Sequence, residues 1–170
     1  MYKSELEKLV KVSQAVGNLP DLIQGGGGNT SVKLDDKLMA VKASGYRLNQ
    51  ITENEGFVVV NYNDIKNYFD KVDLSSGVDY EKDSTEFVKK SIVKIDGLKE
   101  LRPSVEAGFH SILKKYVIHT HAVYANILCC AEGGEQIAGE IFSGSSISFI
   151  WVPYINPGFS LTLKIKEEIK

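Results

Sequence analysis

Apolar residues recur at helical spacing near both ends of the chain. Residues 2–16 place apolar side chains every three or four positions and Gly17 follows, which predicts an amphipathic helix that ends there. Residues 63–100 are polar and predict short helical pieces interrupted at residues 75–77. Residues 160–170 again show an amphipathic helical pattern.

Short runs rich in β-branched residues predict strands between these helices. Residues 30–34 and 38–43 flank an Asp-Asp-Lys turn and predict a hairpin. The sequence Phe-Val-Val-Val-Asn-Tyr at residues 57–62 predicts a further strand, and so do residues 116–121 and 147–154. Strands that alternate with helices, without a repeat or a linker, predict an α/β fold.

Two more helices are predicted on either side of residues 116–121. Arg102-Pro103-Ser104 is typical of a helix start, and this helix is expected to reach about Lys115. Residues 122–131 are apolar enough for a buried helix. They contain both cysteines of the chain, Cys129 and Cys130. Because neighbouring cysteines rarely bridge each other, buried free thiols are expected.

Composition excludes some partners. With 170 residues, the chain fits one domain, residues 1–170. Its formal net charge of -2 does not provide the basic surface that binds a phosphate backbone, so no nucleic acid is expected as a partner. No apolar run reaches the length of a membrane span, and the first residues have no signal-peptide core. Together with free thiols, these features predict a cytoplasmic protein that binds no membrane.

The clearest chemical signal is the pair His119 and His121. Side chains at positions i and i+2 of a strand point to the same face, so both imidazoles can reach one metal ion. Two histidines that are merely hydrogen-bonded at a strand end would show the same spacing. Spacing alone leaves both interpretations open.

Glu106 and His110 lie four residues apart on a predicted helix and therefore share a face. Taken alone, a hydrogen-bonded surface pair is the simpler interpretation. The short path from this helix to His119 and His121 favours another one. In that interpretation the Glu106 carboxylate lies near a metal ion, as a ligand or as a proton-transfer group.

Four glycines, residues 25–28, precede Asn29 and Thr30. Glycines leave backbone N–H groups accessible to an anion. Neither a Walker loop nor a dinucleotide-binding fingerprint is present, because no Gly-Lys-Ser/Thr follows and a strand comes next. Ala43-Ser44-Gly45 offers a second small donor site. A flexible loop remains an alternative for the glycines.

In their order, these segments resemble the class II aldolase/adducin family, which includes fuculose-phosphate and rhamnulose-phosphate aldolases. The chain contains Gly-Gly-Gly-Asn-Thr-Ser-Val-Lys, Ala-Ser-Gly, Pro-Ser-Val-Glu, His-Thr-His and Val-Pro-Tyr before Pro-Gly. The similarity covers roughly residues 5–170. It is strongest to the aldolase part of aldolase/dehydrogenase proteins.

The resemblance implies a three-layer α/β/α fold with a mainly antiparallel central sheet, usually assembled as a homo-tetramer. It implies Zn²⁺, or another divalent metal, held by His119 and His121. Glu106 matches the catalytic acid/base, which can also ligate the resting metal. The implied pocket for the substrate phosphate consists of Gly28, Asn29, Ser44, Gly45 and Ser104.

The implied activity is zinc-dependent cleavage of a phosphorylated ketose, in which the metal stabilises the enediolate formed when the C3–C4 bond breaks. A pentulose-phosphate 4-epimerase or a thioribulose-phosphate dehydratase would use similar ligands. A non-catalytic, adducin-like assembly module would keep only the fold. Such modules tend to lose the metal histidines, whereas both are present here.

The resemblance also predicts an incomplete metal site. In the family a third metal histidine lies in an Asn-His-Gly-like segment well after the Pro-Gly turn, and this chain ends at Lys170. His110 matches a position inside the family's helix and is not predicted to be a ligand. We therefore expect a domain that lacks its C-terminal end and is catalytically poor by itself.

Overall fold

A four-stranded antiparallel sheet forms the centre of the computed structural model, which describes residues 2–170. In the order β3-β2-β1-β4, its strands are β1 (Asn29–Lys33), β2 (Leu38–Lys42), β3 (Phe57–Asn61) and β4 (Tyr116–His119). Asp35 closes the β1–β2 turn, because its carboxylate accepts hydrogen bonds of 2.7 Å from the N–H groups of Lys37 and Leu38. This hairpin and β3 confirm the strands predicted at residues 30–34, 38–43 and 57–62, and β4 confirms the first four residues of the strand predicted at 116–121.

Seven α-helices surround the sheet within the described residues. They are α1 (Lys3–Gly17), α2 (Tyr62–Asp70), α3 (Tyr80–Lys90), α4 (Ala107–Ile112), α5 (Val123–Cys130), α6 (Gly134–Phe142) and α7 (Phe159–Glu168). The side chains of Asn61 and Asp79 cap α2 and α3 by accepting bonds from the third helical N–H. None of these helices is long and apolar enough to cross a bilayer.

Alternate residues of the strands face two hydrophobic cores. On one side of the sheet, Leu9 of α1 packs with Val32, Leu48 and Phe57. On the other side, Met39 and Val41 pack against side chains of α2, α3, α4 and α7, namely Ile65, Phe69, Val88, Ala107 and Phe159. Because helices cover both faces of an antiparallel sheet, the predicted three-layer α/β/α architecture is confirmed.

The predicted helix at residues 102–115 is mostly wrong. Its first residues are extended, since Ser44 N–H donates to the carbonyl of Arg102 at 2.8 Å and Pro103 bridges Ala43. Only the six residues of α4 are helical. A β-type contact with the end of β2 therefore replaces the first helical turn and places Ser104 and Glu106 beside that strand.

Three expectations for the C-terminal third are corrected. The helix predicted at residues 122–131 forms as α5, but none of its residues is buried, and both cysteines are exposed. The predicted strand at residues 147–154 has no ladder partner among the described residues and no regular structure. Helix α6 was not predicted. Apolar composition alone was a poor guide to burial here, because burial depends on which surface a segment meets.

Candidate active site

A cluster of polar side chains lies where β1 begins and β4 ends. Asn29 opens β1 and pairs with His119, the last residue of β4. Ser104 and Glu106 reach the same place from the segment before α4. With His121 these residues form what we call the Glu106 cluster: Asn29, Ser104, Glu106, His119 and His121.

Three groups from three separate segments converge on one carboxylate oxygen, Oε2 of Glu106. His119 Nδ1 lies 3.2 Å from it, Asn29 Nδ2 lies 3.5 Å away and Ser104 Oγ also lies 3.5 Å away. Because a carboxylate only accepts, each of these groups donates. Burial acts to raise the pKa of Glu106. The hydrogen bond from His119, the charge of that imidazole and the hydrogen bond from Asn29 outweigh burial and hold the pKa of Glu106 below its ordinary value. Glu106 is therefore ionised at neutral pH.

The two histidines of the pair lie side by side, with ring centroids 5.0 Å apart. His119 belongs to β4, whereas His121 lies two residues beyond its end and donates its backbone N–H to Leu22 O at 2.9 Å. The glycine loop, residues 25–28, passes next to His121. A Cβ on Gly27 would lie 2.7 Å from Nδ1 of His121, so any side chain at this position would force the imidazole or the loop to move.

Gly28 needs to be glycine for two reasons. Its φ is 71°, in the left-handed region, and a Cβ there would lie 2.3 Å from Ile23 Cδ1 and 2.8 Å from His119 O. The next residue, Asn29, is fully buried, and its Oδ1 has no hydrogen-bond partner within the described structure. A buried amide oxygen without a donor is costly, which is typical of a site that a ligand completes.

The remaining predicted phosphate residues, Ser44 and Gly45, are solvent-exposed at the end of β2. The bond from Ser44 N–H to Arg102 O holds them next to the Ser104 segment. The structure thus brings Gly28, Asn29 and Ser104 together around Glu106 and His119. It places Ser44 and Gly45 on the neighbouring rim.

His110 lies outside the cluster, as predicted. Its side chain is fully buried, and its Nδ1 lies 2.7 Å from Ser31 Oγ. Burial lowers the pKa of His110 to about 3, an effect that the charge of Glu106 only partly opposes. His110 is therefore neutral at physiological pH, and the surface pairing of Glu106 with His110 is not formed.

The donor set of the cluster fits a divalent metal such as zinc, which binds imidazole nitrogens and carboxylate oxygens. A histidine that donates one ring N–H to a carboxylate presents the other nitrogen to a metal, and His119 makes this contact with Glu106. Within residues 2–170, no group of three or more His, Cys, Asp and Glu side chains is arranged to hold an ion. His119, His121 and Glu106 therefore do not form a preformed three-ligand site in this structure, although their side chains are of the types that zinc binds.

Two cavities elsewhere in the described structure contain no residue of the Glu106 cluster. One of about 460 Å³ lies between β3 and residues 89–101, and another of about 490 Å³ lies between α2 and α3. Both lack a set of side chains that converges on one point as the Glu106 cluster does. A candidate reactive site needs convergent polar groups in addition to volume.

Sequence reasoning missed Lys42, the last residue of β2. It is only 4% exposed although it is a lysine. Burial lowers its pKa, and the charge of Glu106 partly opposes this lowering. The available signal was a cation within the apolar run Leu38–Ala43, directly before Ser44 and Gly45.

Fold and site together define a three-layer α/β/α domain with a histidine-carboxylate cluster at one end of an antiparallel sheet. Residues 7–170 match the family model described as Class II Aldolase and Adducin N-terminal domain, and the chain belongs to this family. Members are typically enzymes, and class II aldolases generally use a divalent metal such as Zn²⁺.

Particular relatives support this assignment. The chain is 34% identical over 175 residues to the uncharacterized oxidoreductase YuxG of Bacillus subtilis (strain 168), covering 96% of this chain and 23% of YuxG. The chain thus spans about a quarter of the length of that curated relative. The N-terminal class II aldolase domain of a conserved protein from Thermoplasma acidophilum superposes with a TM-score of 0.79 at 27% identity, over 97% of this chain and 75% of that one.

Two further structures share the architecture over less of the chain. An L-fuculose 1-phosphate aldolase gives a TM-score of 0.50 at 26% identity, over 75% of this chain and 49% of that one. YgbL from Escherichia coli, a candidate aldolase, epimerase or decarboxylase, gives 0.52 at 17% identity, over 78% of this chain and 51% of that one. At that identity, YgbL supports the fold alone.

Proposed function

We propose that this domain is a zinc-dependent aldehyde-lyase, an aldolase that cleaves the C3–C4 bond of a phosphorylated ketose. The observation that carries the proposal is the convergence on Glu106 Oε2. A donor from the expected metal pair, His119, and two from the expected phosphate set, Asn29 and Ser104, meet at that one atom. A base placed between a metal site and a phosphate site is what this reaction requires.

His119 and His121 would hold the metal, with Glu106 as a further ligand in the resting state. When bound, the ion supplies Lewis-acid stabilisation of negative charge on the substrate oxygens. The hydrogen bond between His119 and Glu106 orients the imidazole and fixes which ring nitrogen is free.

Glu106 would transfer the proton at C3. Cleavage of a ketose 1-phosphate leaves dihydroxyacetone phosphate and an aldehyde, and C3 of the former must gain a proton that it loses again in the reverse reaction. The side chain of Glu106 is 18% exposed, so it is shielded from bulk water yet accessible to a ligand. Its lowered pKa keeps it ionised and ready to accept that proton.

Gly28, Asn29, Ser44, Gly45 and Ser104 would bind the substrate phosphate. Contacts with a group remote from C3 hold the reacting carbon at a fixed distance from Glu106 and convert binding energy into positioning. Asn29 and Ser104 also contact the Glu106 carboxylate, so the expected phosphate residues adjoin the proposed base, and this contact supports their role. A homo-oligomer belongs to the same proposal and is supported by exposed apolar side chains on α5 and α6, including Tyr124, Ile127 and Ile141.

The test uses zinc-loaded protein with fuculose 1-phosphate and rhamnulose 1-phosphate, and measures dihydroxyacetone phosphate. A second readout on the same protein is exchange of the C3 proton of dihydroxyacetone phosphate with D₂O, followed by NMR. It isolates proton transfer from bond cleavage. We expect both signals to require zinc.

The alternatives appear as different products. A 4-epimerase would return a pentulose phosphate inverted at C4, and a dehydratase would release water from a thioribulose phosphate. Because slow turnover is expected of this chain by itself, only zinc-bound protein that shows no cleavage and no proton exchange above the metal-free background would contradict the proposal and favour an assembly module.

A further inference from the structure

The outer edge of β3 is covered only in part. β3 is an outermost strand of the sheet, whose order is β3-β2-β1-β4. Asn61 N–H donates to Ser91 O at 2.8 Å, and the chain just after α3 thereby covers the end of β3. Val93 N–H donates to Val59 O at 2.9 Å. Beyond Val93 the chain leaves β3 and pairs with the sheet again after residue 101, so the first residues of β3 have no strand beside them.

Three backbone groups in this uncovered part point away from β2. Neighbouring residues of an antiparallel strand direct their N–H and C=O groups to opposite sides. Because Val59 and Asn61 bond to residues 91–93, Phe57 also faces outward. The N–H and carbonyl of Phe57 and the N–H of Val59 have no hydrogen-bond partner within residues 2–170. Phe57 and Val59 are buried, at 2% and 4% exposure, where unpaired backbone groups are rare.

The cavity of about 460 Å³ lies beside these three groups. One wall is the first part of β3, and the other is the loop at residues 92–101. The loop contributes apolar side chains on both sides of the sheet. Val93 and Leu98 border the core that contains α1, and Ile92 and Leu101 border the opposite core. A chain segment placed in the cavity would therefore have apolar surroundings on both faces, as a fully buried strand does.

Lys89 adds a positive charge to the lining. It lies in the last turn of α3 and forms no ion pair with another described residue. The two other lysines of the lining already have acidic partners, since Lys94 Nζ lies 2.5 Å from Glu100 and Lys99 pairs with a glutamate. Asp96, the remaining acid of the lining, lies in the turn of the loop. Lys89 is therefore the cation available to a negatively charged guest.

We propose that this cavity binds a short, extended, apolar peptide that ends in a carboxylate and adds to β3 as a further strand. The unpaired groups of Phe57 and Val59 make its main-chain hydrogen bonds, as in other cases of peptide recognition by strand addition. Lys89 binds its carboxylate. The interaction is separate from the proposed aldolase reaction, because no residue of the Glu106 cluster lines the cavity.

The experiment adds the peptide acetyl-Thr-Val-Leu-Val, with a free C-terminal carboxylate, to ¹⁵N-labelled protein and follows the backbone amide signals. Those of Phe57 and Val59 should shift and then saturate. The same peptide, methylated at the backbone nitrogens of its two middle residues, keeps its side chains. It loses the main-chain donor that faces β3, so it should bind roughly fivefold more weakly, the usual contribution of one hydrogen bond.

A matched pair of lysines tests the charge. Lys89→Glu should weaken binding of the peptide acid roughly fivefold, the upper range for an exposed ion pair, and should leave binding of the peptide amide unchanged. Lys90→Glu is the control, because Lys90 shares the last turn of α3 but does not line the cavity. It should bind both peptides as wild type does.

Four outcomes would overturn the inference. One is a set of Phe57 and Val59 signals that millimolar peptide leaves in place, and another is shifts confined to β4. Decanoate, an apolar acid without a peptide backbone, could move the same signals as strongly, which would identify a site for small amphiphiles. Shifts that appear when the protein alone is concentrated would assign the cavity to a second copy of the chain.

Discussion

Two polar groups lie two residues apart on the same face of β1, and they differ mainly in access to solvent. The Glu106 cluster is partly open, with His119 26% and Glu106 18% exposed at their side chains. The pair of His110 and Ser31, which we call the His110 pair, is sealed, with 0% and 3% exposure. β1 and the segment around α4 contribute to both groups, whereas β4 and the residues after it add His119 and His121 to the Glu106 cluster alone.

This comparison shows that residue type alone does not determine which histidine can take part in a reaction. Phe109 contacts both sides, stacking on His110 with ring centroids 4.7 Å apart and meeting the edge of His119 at 5.7 Å. Burial makes the His110 imidazole neutral and inert, whereas His119 keeps a carboxylate partner and an accessible face. We therefore expect variants of the open cluster to change function, and variants of the sealed pair to change stability.

Loss of the metal should be the largest effect. The double substitution His119→Ala and His121→Ala should lower zinc affinity about a hundredfold or more, because even outer-shell partners of a metal contribute ten- to a hundredfold. His110→Gln, the matched change in the sealed pair, should keep the zinc content of wild type. Metal analysis after zinc loading and dialysis measures both. Equal zinc in the double variant and wild type would remove the histidine pair from the metal site.

Removal of the proposed base comes next. Glu106→Gln should slow exchange of the C3 proton of dihydroxyacetone phosphate roughly a hundredfold, the usual contribution of a positioned acid/base. The shape of the side chain is retained, so circular dichroism and the melting temperature should change little. His110→Gln should leave the exchange rate of the folded fraction as it is. A collapse in melting temperature, with full exchange activity in the remaining folded protein, would assign Glu106 a structural role.

The pH dependence of stability should report on the sealed pair. The pKa of His110 is about 3 in the folded protein, chiefly because burial disfavours the charged ring, against about 6.5 in an unfolded chain. Between these values only the unfolded chain binds the proton, so stability falls as pH falls below about 6.5. From pH 6.5 to 5.0 this residue should remove about 2 kcal/mol from the free energy of unfolding.

Urea unfolding at several pH values measures this effect. His110→Gln cannot take up the proton, so its free energy of unfolding should fall less steeply over the same range than that of wild type. Parallel pH profiles for the two proteins would mean that His110 is not held neutral by burial.

Local pattern predicted the elements whose partners lie close in sequence. The apolar spacing of residues 2–16 became α1, the Asp-Asp-Lys turn became the β1–β2 hairpin, and the apolar run at residues 57–61 became β3. In these segments the local sequence itself identifies the buried residues, because apolar residues that repeat every two or every 3.6 positions lie on one face, and that face packs against the core. The His-x-His spacing and the glycine run likewise identified two components of the candidate site.

Distant contacts decided what pattern could not. Residues 102–104 became extended because Ser44 and Ala43 pair with them, and residues 147–154 formed no strand because a ladder needs a partner that β-branched composition does not provide. Whether a polar residue is open or sealed depends on what packs over it. The sequence by itself determined which residues can take part in chemistry. Tertiary packing placed Glu106 within reach of a ligand, enclosed His110 and buried Lys42. Packing decides this because burial determines the free energy of the charged form of each side chain.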